Sequence, residues 1–549
     1  MRRLALLLAT LPAAAFAQGP AASPAISVDT LKTVTETLAS DAFEGRAPTT
    51  PGEEKTVAYL TERMKAAGLK PGANGKWTQD VPMVEITAEN VTPMTFSGGT
   101  APVSLAYRTD MVAGTYRVVP RIAVKDSPVV FVGYGVTAPE RGWDDYAGID
   151  VKGKTVVILV NDPDWQTQDN SGPFEGRAMT WYGRWPYKFE NAAKHGAAAA
   201  IIVHDTEPAA YGWPVVQSSW TGPQYGLDEP GDHMDQSQVI GWMQLPKAQE
   251  LFRSAGKDFT ALSAAAKVKG FKAIPLNVTM SVGFTNAVKR SASRNVVGVL
   301  PGTAKPDEVV LYSAHWDHLG RCDAVPGDPS ADDICNGALD NATGTAGLIA
   351  LAEAHAHAGP AKRSLVFLAV TAEESGLLGS QYYAQHPLYP LAKTVGGVNM
   401  DGLNVTGATR DFTVTGAGKS EIEDLLKPIV AAQGRTVTPE PNPERGGYYR
   451  SDHFNFAKLG VPMLYGDGGE DLVQGGPAAG RAATLDYIAN RYHKPGDEYD
   501  PRWNWDGAVQ DLSAYYQLGR KLADDTALWP NWYKTSEFRA VRDRSRAAR

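Results

Sequence analysis

ATGTAGLIALAEAHAHA, residues 342–358, reads as a helix, and RSLVFLAVTAEE, residues 363–374, follows it as a strand. The helix opens in small residues and continues in a run of Leu, Ile and Ala. The strand is a continuous apolar run, the pattern of a sheet covered on both sides. It ends abruptly in two carboxylates, Glu373 and Glu374.

The same texture extends outward. NVVGVLPG (295–302), EVVLYSAHWDH (308–318), TVGGVNMDGLN (394–404) and VPMLYGDGG (461–469) read as strands, and KSEIEDLLKPIVAAQG (419–434) as a helix. Strand alternating with helix predicts an α/β fold, a mostly parallel or mixed sheet flanked by helices. Functional groups in such folds gather at the carboxyl ends of the strands. Upstream, ISVDTLKTVTETLAS (26–40) and GEEKTVAYLTERMKAAGLKP (52–71) have helical spacing, and DAFEGRAPTT (41–50) between them reads as a loop.

Residues from about 80 to 285 differ. VPMVEITA, MVAGTYRVV, SPVVFVGYGV and GKTVVILVND are strand-like, and the helix WPYKFENAAKHG leads into AAAAIIVHD. This is a second unit with its own core. The expected organisation is a leader at 1–17, an amino-terminal part of the main domain at 18–115, an insert at 116–285, the main domain at 286–534 and an Arg-rich tail at 535–549. The tail reads as a solvated end. Trp181, Tyr182, Trp185 and Tyr187 form an aromatic cluster suited to core packing. His195 and His204 read as structural.

The chain has 549 residues, 43% hydrophobic and 21% charged, with a net charge of -8. That balance suits a globular protein of two or three domains and lacks the basic stripe of a nucleic-acid binder. MRRLALLLATLPAAAFAQGP begins with two arginines, an apolar run and the small-x-small site Ala15-Phe16-Ala17, the pattern of an export leader. The apolar run is too short to span a bilayer. The expectation is an exported protein, periplasmic or secreted, without a transmembrane anchor. Cys322 and Cys335 are the two cysteines. An exported chain permits a disulfide between them, closing a short loop at a gain of about 3 kcal/mol.

Five features in the main domain follow strands or open helices: His315 with Asp317, Asp340, the pair Glu373–Glu374, Asp401, and His493. Singly, each has a plain reading: an Asp before a helix caps it, and a Glu pair is a solvated face. Together they place carboxylates at the ends of buried strands, which costs desolvation energy unless they are paired or bind metal. Two histidines and three carboxylates suit zinc, and five donors exceed one tetrahedral ion with an open position. They suit two ions sharing a carboxylate, which activate water and polarise a carbonyl. Glu373 and Glu374 are adjacent in a strand, so their side chains diverge, and one can bind metal while the other handles a proton. Asp317 lies where it can accept a hydrogen bond from the His315 imidazole.

SAHWDH, NGALDNATG, TAEESGLLGS, NMDGLN, YYRSDHFNFAKLGVP, YHKPGDEYD and the earlier LASDAFEGRAP together resemble the co-catalytic dizinc exopeptidases, which include bacterial secreted aminopeptidases and glutamate carboxypeptidase. The likeness covers about residues 30–110 and 286–525. It implies two zinc ions, one on His315 and Asp401, the other on Glu374 and His493, bridged by Asp340. It implies Glu373 as general base, Asp317 as the residue orienting His315, and a tyrosine stabilising the oxyanion, Tyr448 or its rival Tyr492. VVFVGYGV, YAGIDVKGKTVVILV and YKFENAAKHGAAAAIIVHD make the insert resemble a protease-associated domain. The resemblance implies an aminopeptidase acting on peptides. The alternatives are a carboxypeptidase or dipeptidase, with Arg445 or Arg450 holding the substrate carboxylate, and a non-catalytic binding protein on the same fold. Zinc, cobalt and manganese all suit the donors.

Histidine ligands must be deprotonated to hold metal, so activity is expected to fall below about pH 6. A pH–rate profile still at its plateau at pH 4 contradicts this.

Overall fold

The computed structural model describes residues 26–323 and 332–547. Two strands start the architecture: β1 (Thr78–Glu89) and β2 (Ile274–Leu300) run antiparallel, pairing from Thr285 with Glu89 to Val296 with Thr78. The carboxyl end of β2 pairs antiparallel with β4 (Arg363–Val370), which lies parallel to β3 (Lys305–His315). Next to β3 come β5 (Thr394–Met400) and β6 (Met463–Gly468), both parallel to it. All residues of β4 and β5 are buried, as their unbroken apolar runs predict.

Side chains alternate across this sheet. Val310, Tyr312, Phe367 and Val398 face one layer of helices, α1 (Val28–Leu38), α2 (Gly344–His357) and α3 (Asp506–Asp524). Val309, Leu311, Val366 and Leu368 face the other side, where Tyr383 and Phe456 from two short helices close the core. The fold is therefore mixed α/β, with β3, β4, β5 and β6 ending at one edge.

The insert's strands continue the same sheet. Arg121–Phe131, Thr155–Leu159, Ala199–His204 and Val239–Gln244 run parallel in that order, and helix Trp185–Lys194 packs on them. It is more α/β than β-rich. Two expected boundaries fall inside shared structure. The junction at 285/286 lies in the middle of β2, whose first half pairs with Arg121–Phe131 and whose last residues pair with β4. Met94–Ser97 and Met111–Gly114, expected in the main domain, contribute to the insert's core, and Met111–Gly114 pairs with Val239–Gln244. Strand periodicity shows elements but not which core they join.

The tail also differs from expectation. Arg539–Ala547 is a helix, α4, and Arg542 is buried, donating to the carbonyls of Thr394 and Val395 at 2.9 and 2.8 Å. Arg539 and Asp543, one turn apart, pair on its outer face. The expected loop 41–50 contains a tight turn, Asp41–Arg46. The leader at 1–17, with its cleavage site, lies outside the described residues. No helix among the described residues is long and apolar enough to cross a membrane. Cys322 and Cys335 are joined, with Cα atoms 5.9 Å apart.

Arg46 is fully buried and ties distant loops together. Its guanidinium donates to the carbonyls of Trp316 (2.9 Å), Leu38 (2.7 Å), Asn336 (2.6 Å) and Gly337 (2.8 Å). Burial lowers its pKa to about 10 against the pull of Asp317, Asp497 and Asp340. Replacing Arg46 with Met leaves four buried carbonyls without donors, so a loss on the order of 3 kcal/mol is expected in denaturant unfolding. Arg46→Lys is expected to recover little, because one ammonium cannot reach carbonyls on opposite sides.

Candidate functional site

The three parallel strands β3, β4 and β5 deliver their next residues to one place. His315 ends β3, Glu373 and Glu374 follow β4, and Asp401 follows β5. His315 Nε2 lies 3.0 Å from Asp401 Oδ1 and 3.2 Å from Asp340 Oδ1. Its other nitrogen, Nδ1, donates to the backbone carbonyl of Asp317 at 3.2 Å, so Nε2 is the atom left to face the carboxylates.

Asp340 enters from the turn Ala338–Thr343 that opens α2. Sequence alone allows it to be a simple helix cap. In the structure that turn is built around other residues. Asp497 accepts the N–H groups of Leu339 and Asp340, both at 3.0 Å. Asn341 donates to the Met400 carbonyl at 3.0 Å and accepts from Gly402 at 2.8 Å, joining this turn to the one carrying Asp401. Asp340 is thereby freed to point at both histidines, with His493 Nε2 3.4 Å from its second oxygen.

Glu374 lies between two histidines. His318 Nδ1 is 2.7 Å from Oε1, and His493 Nε2 is 3.2 Å from Oε2. Burial and the Asp340 charge push this carboxyl up, but the two imidazoles outweigh them and hold it at about 2. Glu373 is different: its carboxylate takes no side-chain hydrogen bond among the described residues, and burial holds it well above the usual range, with His315 opposing and Asp401 and Glu374 adding to the rise. The adjacent glutamates thus diverge in environment as well as direction.

The structure brings all five expected donors together, and two groups have metal-ligand spacing: His315, Asp340 and Asp401, and His318, Asp340 and Glu374. The fit to a cation is chemical. Asp340, Glu373, Glu374 and Asp401 crowd one cleft, and Arg46, an arginine within the field of Asp340 and Glu374, has its nitrogens committed to carbonyls. Carboxylates so packed need positive charge between them. His315, Asp340 and Asp401 could hold a cation, as could His318, Asp340 and Glu374, and His493 stands beside the second group, 3.4 Å from Asp340 and 3.2 Å from Glu374.

Two expected roles are placed differently. Asp317 does not hold His315 through its carboxylate, whose Oδ1 is 3.8 Å from Nδ1. It accepts instead from the backbone N–H groups of Glu373 (3.1 Å) and Glu374 (3.4 Å), fixing the turn after β4. Burial, countered by His315, pushes it up to about 7. Tyr448 is buried against Tyr449, His453 and Phe538 with Lys419 over its ring, and Glu537 and Glu423 are its electrostatic neighbours. Tyr492 is the tyrosine beside the site: it stacks on His493 at 3.9 Å and feels Asp340, Glu374, Asp401 and Glu373. Tyr465 on β6 is within reach of Asp401 and Glu373 as well. Loop conformation decides which tyrosine faces the cleft, and sequence order does not reveal it.

His318 and Asp497 have roles the sequence reading did not assign. Both lie inside quoted motifs, as the second histidine of HWDH and the acid of PGDEYD, and those spacings were the available signal. The aromatic cluster packs as expected: Trp181 meets Tyr449 and Phe454 of the YYRSDHF segment, and Lys458 covers its face at 4.8 Å. His195 stacks on Tyr146, and His204 bonds the Tyr211 carbonyl.

Residues 295–517, which contain every donor, match the sequence profile of Peptidase family M28. Among curated relatives, the aminopeptidase YwaD of Bacillus subtilis (strain 168) is 34% identical over 104 residues, 19% of each chain. A probable zinc metalloprotease of Pyrenophora teres f. teres (strain 0-1) is 40% identical over 90 residues, 16% of this chain and 18% of that one. The matched stretches span about a fifth of those relatives' lengths. An aminopeptidase from Aneurinibacillus sp. strain AM-1 aligns over 91% of this chain and 94% of its own, at 19% identity and a TM-score of 0.48.

His493 is the most exposed donor, its side chain 37% accessible, and lies on a loop after helix Gly476–Asn490. Burial lowers its pKa, but the Asp340 and Glu374 carboxylates raise it to about 10. A raised histidine stabilises fully below its unfolded value near 6.5 and loses this as pH climbs through the folded value. In metal-free protein, the melting-temperature gap between wild type and His493→Gln is therefore expected to be constant from pH 5 to 6 and to close towards pH 10. A gap that widens with pH would refute the pairing.

Proposed function

We propose that the protein is an exported zinc-dependent aminopeptidase with two zinc ions, removing N-terminal residues from peptides. The carrying observation is the division between the two glutamates: Glu374 is clasped by His318 and His493, while Glu373 beside it keeps an uncommitted carboxylate. One is built to be a ligand and the other to move a proton.

Bound zinc supplies Lewis-acid polarisation of the scissile carbonyl and acidifies water. Glu373 takes the proton of the attacking water and later delivers it to the leaving amine. Its raised affinity for protons suits that shuttle, and cations in the cleft bring it back towards working pH. Asp317 keeps Glu373 in register through the backbone N–H bond. Tyr492, stacked on His493, is the candidate to donate to the developing oxyanion.

The charge of the cleft favours the aminopeptidase direction. Carboxylates and histidines are the leading electrostatic neighbours of Glu373 and Glu374. Such a cleft attracts a free α-ammonium and repels a C-terminal carboxylate. Arg450 is exposed and lies near Arg184 and Tyr211 of the insert. The insert is read as a protease-associated domain, and the leader with the disulfide supports export.

The test is hydrolysis of aminoacyl p-nitroanilides, their N-acetyl derivatives and C-terminally amidated peptides. Free amino termini are expected to be required and C-amidation tolerated. Glu373→Gln is expected to lower kcat by about 10²-fold or more with metal content unchanged, and a chelator to abolish turnover. Cleavage of N-acetyl substrates with loss on C-amidation would instead indicate a carboxypeptidase, and full activity of Glu373→Gln would remove it as base.

A further inference from the structure

A small cavity opens directly off the candidate centre, bordered by Asp401, Gly402, Thr415, Tyr465, Asp467 and Tyr515. Asp401 is one of the donors grouped with His315 and Asp340, so a substrate whose scissile bond lies at those donors has its first side chain within reach of this cavity. Tyr465 and Asp467 stand two residues apart on β6 and so share a face. Tyr465 lines the cavity together with Asp401, which sets that face towards the site.

The groups lining the cavity differ in chemistry. Tyr465 and Tyr515 provide ring surface, and the Tyr515 hydroxyl is spent on the Gly466 carbonyl. Asp467 also lines the cavity, and its carboxylate takes no hydrogen bond among the described residues. Burial and the acids Asp511, Asp401 and Asp411 push it up to about 8 against one cation, Arg435, so a cationic group beside it is what draws it into its charged form. Arg435 is already committed: it pairs with Asp511 at 2.7 Å and donates to Thr409 Oγ1 (3.0 Å) and the Asp411 carbonyl (2.8 Å). Asp511 also accepts from Gly468 at 2.9 Å. Asp467 is thus the acid of this group without a hydrogen-bond partner among the described residues, in a cavity that Tyr465 and Tyr515 also line.

We infer that this cavity receives the side chain of the peptide's first residue and that Asp467 selects a basic one, lysine or arginine. The inference rests on the aminopeptidase reading and adds its substrate class. A lysine or arginine stem lies along the tyrosine rings, and its charged head meets the carboxylate. A leucine there leaves the acid without a counter-charge, and a glutamate adds repulsion.

The experiment compares kcat/KM for Lys-, Arg-, Leu- and Glu-p-nitroanilide in metal-loaded wild type and Asp467→Asn. Wild type is expected to favour Lys and Arg over Leu by at least about tenfold. Asp467→Asn is expected to lower Lys and Arg by about 30-fold or more while Leu stays within about threefold, which also reports correct folding. Competition by free lysine and by norleucine needs no variant: lysine is expected to inhibit wild type at lower concentration. Preference for Leu in wild type, equal loss on all substrates in Asp467→Asn, or equal inhibition by the two amino acids would overturn the assignment. Absence of turnover on every substrate, Leu included, would sink the aminopeptidase reading and this inference with it.

Discussion

One buried guanidinium holds the amino-terminal segment to the site. Arg46 lies in a turn near the start of the chain, yet its acceptors, Trp316, Asn336 and Gly337, flank His315 and Asp340. Turn carbonyls near a cleft usually turn to water. Here a single planar cation satisfies carbonyls from three segments at once, and its fork geometry sets their spacing. The charge is tolerated in the interior because Asp317, Asp497 and Asp340 surround it. Gly45 beside it has no room for a side chain: a Cβ there would lie 2.5 Å from the Gly320 carbonyl oxygen. The amino-terminal segment is therefore a structural part of the cleft.

A second constraint is electrostatic. The acids of the cleft are held by backbone N–H groups and imidazoles in preference to arginine or lysine. Asp497 and Asp317 take N–H groups of the turns carrying Asp340 and Glu373. These bonds fix position while leaving the negative field of the cleft intact. Lysines in its place would neutralise the site and remove its affinity for cations. The arrangement stores unfavourable charge that a bound cation relieves, which couples ion binding to stability.

Much of this was legible in the residues, for identifiable reasons. Strands β3, β4 and β5 are unbroken apolar runs, so both their existence and their carboxyl-end donors could be read directly. His315, Glu374 and Asp401 come together because each stands at the end of a strand that the alternating pattern locates, and Asp340 because it sits in the small-residue turn that opens a helix, whereas His493 was marked only by its motif RYHKPGDEYD. What escaped reading depended on partners far away in the chain. Arg46 sits in the stretch 41–50 that reads as a loop, and its acceptors lie 270 and 290 positions further on. The Arg-rich tail reads as solvated because its charge hides the one position, Arg542, that turns inward onto β5. The Tyr448 ring is directed by contacts with Lys419 and Phe538 that its motif does not contain.

Strand β2 joins the two parts of one continuous sheet, and this sets what can be exchanged between proteins of this build. A domain joined by two flexible linkers can be removed, swapped or moved by recombination with its host left intact. Here the return path from the insert is hydrogen-bonded throughout, to Arg121–Phe131, then to β1, then to β4. Cutting it exposes unpaired edges on both sides. The insert is therefore not a portable cassette: a chimera must carry β1 and the whole of β2 with it, and sequence drift in one body is felt by the other through a common backbone.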